Sequence, residues 1–184
     1  MDNRPDWDTY FMHICDVVKT RSRDANTQVG CVIIDEFHRI ISTGYNSFPT
    51  GIYDKAWPNE RSQIQYIYNC STNNGSESII FADKPIETDE FLPKAELLGE
   101  FTKYDVTTHA EANAIASAGR SLRGATLYCN LVPCNHCAML IINAGIKKVI
   151  AQKRHIGWST AHIIAEKLMQ EAGLEIIIVE DEKK

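Results

Sequence analysis

The sequence contains no long apolar run, so it offers no candidate for a membrane-spanning helix, which needs ~18 consecutive apolar residues. Residues 1–8 also lack the apolar centre of an export signal, and we therefore expect a cytoplasmic protein with no membrane partner. In a reducing compartment, the six cysteines are expected to be free thiols or metal ligands rather than disulfides.

The sequence is also poor in basic residues. Its 19 lysines and arginines are outnumbered by 24 acidic residues, and the formal net charge is −5. A protein that binds a long nucleic acid needs a basic surface against the phosphates, so this balance argues against a polynucleotide partner. It is compatible with a single nucleotide, which needs only a few local cations. The length of 184 residues, with 44% hydrophobic and 23% charged residues, favours one globular domain.

One motif combines side chains that bind transition metals. His109 and Glu111 are two residues apart, and Pro133 precedes Cys134 and Cys137. The two thiols are three residues apart and lie on one side of a helical turn, whose positive N-terminal dipole favours thiolates. One imidazole and two thiolates give Zn²⁺ three ligands and leave a fourth position for water, as in catalytic zinc sites. H-x-E followed by P-C-x-x-C is the pattern of zinc-dependent nucleobase deaminases.

Glu111 is the predicted catalytic residue of this motif. Side chains two positions apart on a regular helix point in directions that differ by roughly 200°. His109 and Glu111 can therefore converge only if His109 lies at a helix start. Glu111 is then free to take a proton from a water molecule that zinc activates. It can pass that proton to a ring nitrogen and help the amine leave as ammonia.

Other interpretations of the same residues stay open at this point. A C-x-x-C pair can also be a redox pair or half of a structural zinc site. His136 follows Cys134 by two residues and is expected to face away from the metal. The cysteines outside the motif are interpreted as small apolar residues; they are Cys15, Cys31, Cys70 and Cys129.

Helical and strand patterns alternate along most of the chain. Helices are predicted over 7–21, 110–119 and 135–144, and a last one ends at 172 after a cap at Ser159 or Thr160. Strands are predicted over 29–34, 39–44, 125–130, 148–151 and 175–179. The first two strands form a hairpin, and the later alternation favours parallel pairing with right-handed crossovers. The predicted fold is α/β, with a mixed five-stranded sheet and helices on both faces.

Residues 52–108 show no such alternation, and only short helices over 62–68 and 93–101 are suggested. A structureless connection of this length is uncommon in a compact domain unless it has a function. We therefore expect a single domain over 1–184 with an insertion at about 52–108. This insertion is expected to cover the site, to regulate it, or to form a subunit surface.

These motifs together resemble the deoxycytidylate (dCMP) deaminases of the zinc-dependent cytidine and deoxycytidylate deaminase superfamily. The resemblance is carried by residues 21–30, 44–51, 109–115, 133–138 and 140–150. It implies the three-layer α/β/α cytidine-deaminase-like fold, Zn²⁺ as cofactor, and hydrolysis of dCMP to dUMP. It further implies a homo-oligomer, often a hexamer, that dCTP activates and dTTP inhibits, with Mg²⁺ accompanying a triphosphate effector.

The resemblance also assigns nucleotide-binding residues. The implied substrate residues are Arg23, Asn26, Asn46 and Ala110. The implied effector residues are Asn46, Ser47, Phe48, Pro49, Thr50 and Gly51. Arg154 and His155 are further substrate candidates because they follow a predicted strand, at the end of a sheet where ligands of α/β proteins collect. Ser47 stands where the family often has glycine, and Thr108 where it frequently has cysteine.

The main alternative is a tRNA adenosine deaminase or another polynucleotide deaminase. Such enzymes share the zinc motif but need a basic face, and the acidic composition argues against one. A non-catalytic nucleotide-sensing module is a second alternative, and Glu111 argues against it because zinc binding alone requires no carboxylate there.

Overall fold

The architecture comes from a computed structural model, which describes residues 3–52, 57–58, 63–71, 75–86, 94–153 and 159–180. The chain divides into two compact units, one of Met1–Ser47 with Thr108–Lys184 and one of Phe48–Thr107. This division falls close to the limits of the predicted insertion. The interpretation of the whole chain as a single domain stays a prediction.

The elements follow one another along the chain as alternating helices and strands. The helices are α1 (Trp7–Lys19), α2 (Lys103–Val106), α3 (Ala110–Ala116), α4 (Asn135–Asn143) and α5 (Thr160–Glu171). The strands are β1 (Gly30–Ile34), β2 (Ile40–Tyr45), β3 (Ile64–Ser71), β4 (Glu77–Ala82), β5 (Lys94–Thr102), β6 (Thr126–Cys129), β7 (Lys148–Lys153) and β8 (Glu175–Glu180). No helix in the described residues is both long and apolar enough to cross a membrane.

The first unit contains a mixed five-stranded sheet in the order β2-β1-β6-β7-β8, which confirms the predicted sheet. Strand β1 is antiparallel to β2 and to β6, whereas β6, β7 and β8 run parallel because each is joined to the next through a helix. The carboxyl ends of β2, β6 and β7 therefore lie at one edge of the sheet, together with the amino end of β1. We call this the carboxyl edge.

Helices cover both faces of this sheet, as predicted. Strand β1 is buried along its whole length, and its side chains alternate between two apolar clusters. Val32 and Ile34 pack with Phe11 and Cys15 of α1. On the other face, Cys31 and Ile33 belong to a larger cluster that includes Ala110 and Ala114 of α3, Ala138 and Ile141 of α4, and Ala165 and Met169 of α5. The small alanines let these helices approach the sheet closely.

Two glycines allow helices to touch strands near the carboxyl edge. A Cβ atom on Gly30 would lie 2.1 Å from the carbonyl oxygen of Cys15 in α1. A Cβ atom on Gly44 would lie 2.2 Å from the carbonyl oxygen of Ala110 in α3. The second contact places the first turn of α3 directly against β2, and so fixes the position of the residue that starts this helix.

The second unit contains an antiparallel three-stranded sheet in the order β4-β3-β5. The suggested helices over 62–68 and 93–101 are therefore wrong, since those segments form β3 and β5. Strand β3 is paired along both sides, with Cys70 opposite Ser78 of β4 and Ala95 of β5. Its alternating aromatic and β-branched residues suit this pleated arrangement, and inter-strand hydrogen bonding prevails over any local helical preference.

Candidate metal centre

The two halves of the metal motif both lie at helix starts. His109 is the N-cap residue of α3 and Cys134 is the N-cap residue of α4, and both have extended backbone conformations. Neither side chain makes a capping hydrogen bond, so both are available for another partner. Cys137 follows in the first turn of α4. The predicted position of His109 at a helix start is confirmed.

The three ligand atoms converge at separations that suit zinc. Nδ1 of His109 lies 3.5 Å from Sγ of Cys134 and 3.4 Å from Sγ of Cys137. All three atoms lie within 4.8 Å of one another. Within the described part of the chain, this is the one group of three metal-binding side chains that converge in this way. A tetrahedral zinc ion with Zn–S bonds of about 2.3 Å and a Zn–N bond of about 2.0 Å would separate nitrogen from sulfur by about 3.5 Å. The residues present therefore fit zinc.

The imidazole of His109 lies within hydrogen-bonding distance of both thiols. Hydrogen bonds from Cys137, above all, and from His109 lower the pKa of Cys134 to about 3. The bond with Cys134 and then burial raise the pKa of Cys137, and the bond with Cys134 also raises the pKa of His109. One thiolate is thus held ready at Cys134. Because zinc requires two thiolates and a neutral imidazole, its binding must release protons from this site.

Glu111 lies beside the three ligands and is not one of them. It belongs to the first turn of α3, and only 4% of it is exposed. Burial raises its pKa, against the opposing effects of a backbone hydrogen bond, the positive charge of His109 and a hydrogen bond with the Cys137 side chain. A buried carboxyl group with a raised pKa takes up a proton more readily than an exposed one, which suits a proton carrier.

Asn46 is buried and joins two loops at the carboxyl edge. Its Oδ1 accepts a hydrogen bond from the backbone N–H of Val29, and its Nδ2 donates one to the carbonyl oxygen of Thr27, both at 2.8 Å. Its own carbonyl oxygen accepts a hydrogen bond from the Ser22 hydroxyl at 2.8 Å. The side-chain amide is thus bonded to the backbone of residues 27–29. In this structure Asn46 shapes the loop that carries Asn26.

Arg23 and Asn26, two predicted substrate residues, line the same surface cavity of about 530 Å³. The remaining lining residues are Lys19, Asp24, Ala25 and Gln28. Sequence reasoning missed Lys19, although a lysine at the end of α1 next to a predicted nucleotide loop is a usable signal. The cavity brings two cationic and two amide side chains together with the acidic Asp24, and Nζ of Lys19 is already paired with Asp16. Arg23 and the amides can donate hydrogen bonds to an anionic group.

The predicted effector loop is divided between the two units, with Asn46 and Ser47 in the first and residues 48–51 in the second. The backbone N–H of Ile52 donates a hydrogen bond to the carbonyl oxygen of Pro49 at 3.1 Å, which closes a turn. Gly51 has a φ of 90°, so the third position of this turn requires glycine. The turn over 49–52 therefore has a defined shape, while the role of the loop as an effector site stays a prediction.

The other predicted site residues have clear outcomes. Ala110 is fully buried in the core of the first unit. Arg154 and His155 lie outside the described residues. His136 is exposed and is not part of the ligand group, as expected. None of the six cysteines forms a disulfide bond, and the four outside the motif are buried, which agrees with their interpretation as small apolar residues.

Two asparagines that sequence reasoning did not single out organise the surroundings of the site. Asn113 donates hydrogen bonds to the carbonyl oxygen of Tyr45 at 2.8 Å and to Oγ of Ser47 at 3.2 Å. Asn130 follows β6 and is 1% exposed, and its Oδ1 accepts a hydrogen bond from the backbone N–H of Gly30 at 2.9 Å. In the sequence, Asn113 could be recognised only as a polar residue within an apolar helix, and Asn130 only as a polar residue directly after a buried strand.

A three-layer fold in which two helix starts present one imidazole and two thiols defines a zinc-dependent deaminase domain. Residues 5–153 match the family model described as the cytidine and deoxycytidylate deaminase zinc-binding region. The chain therefore belongs to this family of zinc-binding deaminases.

Individual relatives agree with this assignment. A probable deoxycytidylate deaminase of Drosophila melanogaster is 33% identical over 170 residues, which is 92% of this chain and 70% of that protein. The deoxycytidylate deaminase of Homo sapiens is 33% identical over 150 residues, 81% of this chain and 66% of that protein. The chain thus spans about two thirds of the human relative's length.

Solved structures show the same fold. The dCMP deaminase of cyanophage S-TIM5, in complex with dCMP and dUMP, superposes with a TM-score of 0.59 at 21% identity. That match covers 97% of this chain and 100% of the phage chain. RibD of Acinetobacter baumannii superposes with a TM-score of 0.55 at 22% identity, and 35% of its chain is covered.

Proposed function

We propose that the protein is a zinc-dependent hydrolase that deaminates dCMP to dUMP. The observation that carries this proposal is the convergence of His109, Cys134 and Cys137 beside the buried carboxyl group of Glu111. Family membership supports it, as do the names of the fly and human relatives. The substrate remains a proposal because it is taken from these relatives.

Glu111 carries the proton transfers in the proposed reaction. Zinc, when bound at the three ligands, makes a water molecule nucleophilic near neutral pH. Glu111 takes a proton from that water and delivers it to a ring nitrogen of cytosine. It then takes the second proton of the attacking water and passes it to the amino group. The bond between the ring carbon and this nitrogen breaks, ammonia leaves, and the water oxygen stays on the carbon as the carbonyl oxygen of uracil. Burial of Glu111 excludes bulk water and keeps these protons at the reacting atoms.

Substrate recognition is proposed to involve the loop between α1 and β1. Arg23 supplies positive charge to the cavity, and the phosphate of a nucleotide is a suitable partner for a guanidinium group. Lys19 lines the same cavity but is ion-paired with Asp16. Asn26 lines the same cavity. Asn46 stabilises the loop through side-chain hydrogen bonds to the backbone of Val29 and Thr27. The proposed substrate contact of Ala110 rests on the family resemblance alone. Those of Arg154 and His155 rest on their position directly after a strand, at the end of the sheet where ligands of α/β proteins collect.

Regulation and assembly are also proposed from the resemblance. The expected effectors are dCTP as activator, together with Mg²⁺, and dTTP as inhibitor, bound at the loop from Asn46 to Gly51. The expected assembly is a homo-oligomer, with a hexamer as the specific prediction. The cytoplasmic location likewise stays a prediction.

The decisive measurement is ammonia release from dCMP, dCTP, deoxycytidine and a tRNA anticodon hairpin, each with and without dCTP or dTTP. We expect turnover of dCMP, and no turnover of the hairpin. Turnover of the hairpin alone would favour the polynucleotide deaminase instead. A dCMP rate that is unaffected by zinc chelation would exclude the proposed mechanism.

Glu111→Gln tests the role of the carboxyl group. The amide keeps the size of the side chain but cannot carry protons, so we expect turnover to fall by about 10²–10⁴-fold. Zinc content, measured by metal analysis of the purified variant, should stay at the wild-type level because Glu111 is not a ligand. Near-normal turnover in Glu111→Gln would remove Glu111 from the mechanism.

A further inference from the structure

His109 is held by its backbone neighbours, because its side chain faces the two thiols. Immediately before it, Thr108 forms an antiparallel bridge with Ser47 through two backbone hydrogen bonds of 3.1 Å and 2.8 Å. Immediately after it, the carbonyl oxygen of His109 accepts the first helical hydrogen bond of α3 from the N–H of Asn113, at 3.0 Å. The orientation of the imidazole therefore depends on Thr108 on one side and Asn113 on the other.

The Asn113 side chain closes these two connections into a ring. Its Nδ2 donates to Oγ of Ser47 at 3.2 Å, and Ser47 is the residue that bridges Thr108. The same Nδ2 donates to the carbonyl oxygen of Tyr45, the last residue of β2, at 2.8 Å. Hydrogen bonds thus run from His109 to Asn113, on to Ser47 and on to Thr108, and the peptide bond between Thr108 and His109 closes the ring. We call these four residues the His109 ring.

We propose that Asn113 is a positioning residue that, through Ser47 and Thr108, fixes the imidazole of His109 for metal binding. This inference rests on the proposed metal site. A ligand at a helix start lacks the rigid backbone of the helix interior, so it needs support from outside the helix. Asn113 provides that support, because it ties the first turn of α3 to the end of the neighbouring strand.

The chain offers a matched control for this role. The hydroxyl of Ser42 also joins β2 to α3, through a buried hydrogen bond of 2.8 Å to the carbonyl oxygen of Ala114. This bond connects the same two elements as Asn113 but does not belong to the His109 ring. Ser42→Ala therefore removes a comparable strand-to-helix contact and leaves the support of His109 intact.

The test compares three variants of the full chain: Asn113→Ala, Ser47→Ala and Ser42→Ala. Zinc affinity is measured by competition with a chromophoric chelator. The ligand geometry is measured by the absorption spectrum of the Co²⁺-substituted protein. Loss of a group that orients a metal ligand weakens metal affinity by about 10–100-fold. We expect this loss in Asn113→Ala, with changed cobalt bands that report distorted ligand geometry. Ser47→Ala should shift both readouts in the same direction but less, because Tyr45 still holds Asn113. Ser42→Ala should lower thermal stability only.

The outcomes separate this inference from the proposed function. A wild-type protein that binds neither zinc nor cobalt would overturn both. A wild type that binds them, with Asn113→Ala equal to Ser42→Ala in affinity and spectrum, would overturn the positioning role alone. If Asn113→Ala does not fold, Ser47→Ala tests the positioning role instead, because it removes one hydroxyl group and leaves the backbone bridge to Thr108 intact. Unchanged affinity and spectrum in that variant would then reject the His109 ring.

Discussion

Tyr128 joins strand β6 to helix α1 through a single hydroxyl group. It is 3% exposed, its ring packs against Phe11 with centroids 5.1 Å apart, and its hydroxyl donates a hydrogen bond to Oδ1 of Asp8 at 2.7 Å. Burial, followed by this bond to Asp8, raises the pKa of Tyr128 above its ordinary value. The neutral hydroxyl therefore contributes stability to the folded protein, and that contribution depends on pH.

Tyr128→Phe should lower the free energy of unfolding by about 1.5–3 kcal/mol at pH 8, because it removes a hydrogen bond to a carboxylate. Since the folded pKa is raised, the contribution is fully present below the unfolded pKa of about 10 and declines as the pH rises above it. The difference between wild type and variant, measured by urea denaturation, should shrink at higher pH. Tyr10→Phe, at an exposed position on α1, is the control. A difference that grows with pH would contradict the assignment.

Single residues also show where sequence reasoning stops. The three ligands and Glu111 could be identified from the sequence because their chemistry and spacing are distinctive. The contact of Asn46 with nucleotide stays a prediction. Its amide also bonds the backbone of Val29 and Thr27, and these tertiary contacts could not be inferred from any local sequence pattern. Asn113 was missed for the same reason, since its partners lie more than sixty positions away in sequence.

At the scale of elements, the contact between β2 and α3 determines where the metal ligands lie. Gly44 has no side chain, and a methyl group there would stand 2.2 Å from the carbonyl oxygen of Ala110 and 2.4 Å from the amide nitrogen of Ala114. Both are backbone atoms, so the clash cannot be relieved by rotating a side chain. The helix would have to move, and His109 would move with its first turn.

Gly44→Ala should therefore destabilise the protein by about 1–3 kcal/mol through overpacking and should also weaken zinc binding. Chemical denaturation and chelator competition measure the two effects. Gly99→Ala is the matched control, because a Cβ atom at Gly99 in β5 would meet nothing within 4 Å. Equal effects of the two substitutions would show that the close approach at Gly44 does not constrain the helix.

The elements of the two units differed in how well they could be predicted. Strand β1 is buried along its whole length, and α1 buries Phe11 and Cys15 four residues apart, so both carry clear apolar patterns. Strands β4 and β5 are largely exposed, with apolar residues such as Phe81 and Leu97 at the surface. Without a buried face they show no two-residue period, and their pairing with β3 could not be inferred from local sequence.

At the scale of the whole molecule, the metal centre connects segments that are distant in sequence. His109 belongs to α3, whereas Cys134 and Cys137 belong to α4, beyond the intervening strand β6. Bound zinc would therefore cross-link two helices of the first unit, and its binding free energy would add to the stability of the folded chain. Removal of the metal should lower the stability of the protein as well as its turnover.

His109→Ala should abolish stoichiometric zinc binding, and the zinc-dependent rise in melting temperature should disappear with it. Binding to the folded state alone adds about 2.7 kcal/mol when free zinc is at 100 times its dissociation constant, and this is the stabilisation to be lost. Metal analysis and thermal denaturation with and without chelator provide the measurement. His136→Ala is the control, because His136 is exposed and lies outside the ligand group. Loss of zinc in His136→Ala would require a different ligand set.

The backbone bridge between Ser47 and Thr108 also bears on how this chain can vary in evolution. The bridge joins the residues directly before and after the segment that forms the second unit. The chain therefore leaves and rejoins the first unit at neighbouring positions. The entropic penalty of a closed segment grows only with the logarithm of its length, by about 0.6 kcal/mol per doubling. Insertions and deletions between these two residues therefore place little thermodynamic burden on the deaminase domain. The length of the segment can therefore change at little cost in stability while the bridge is kept.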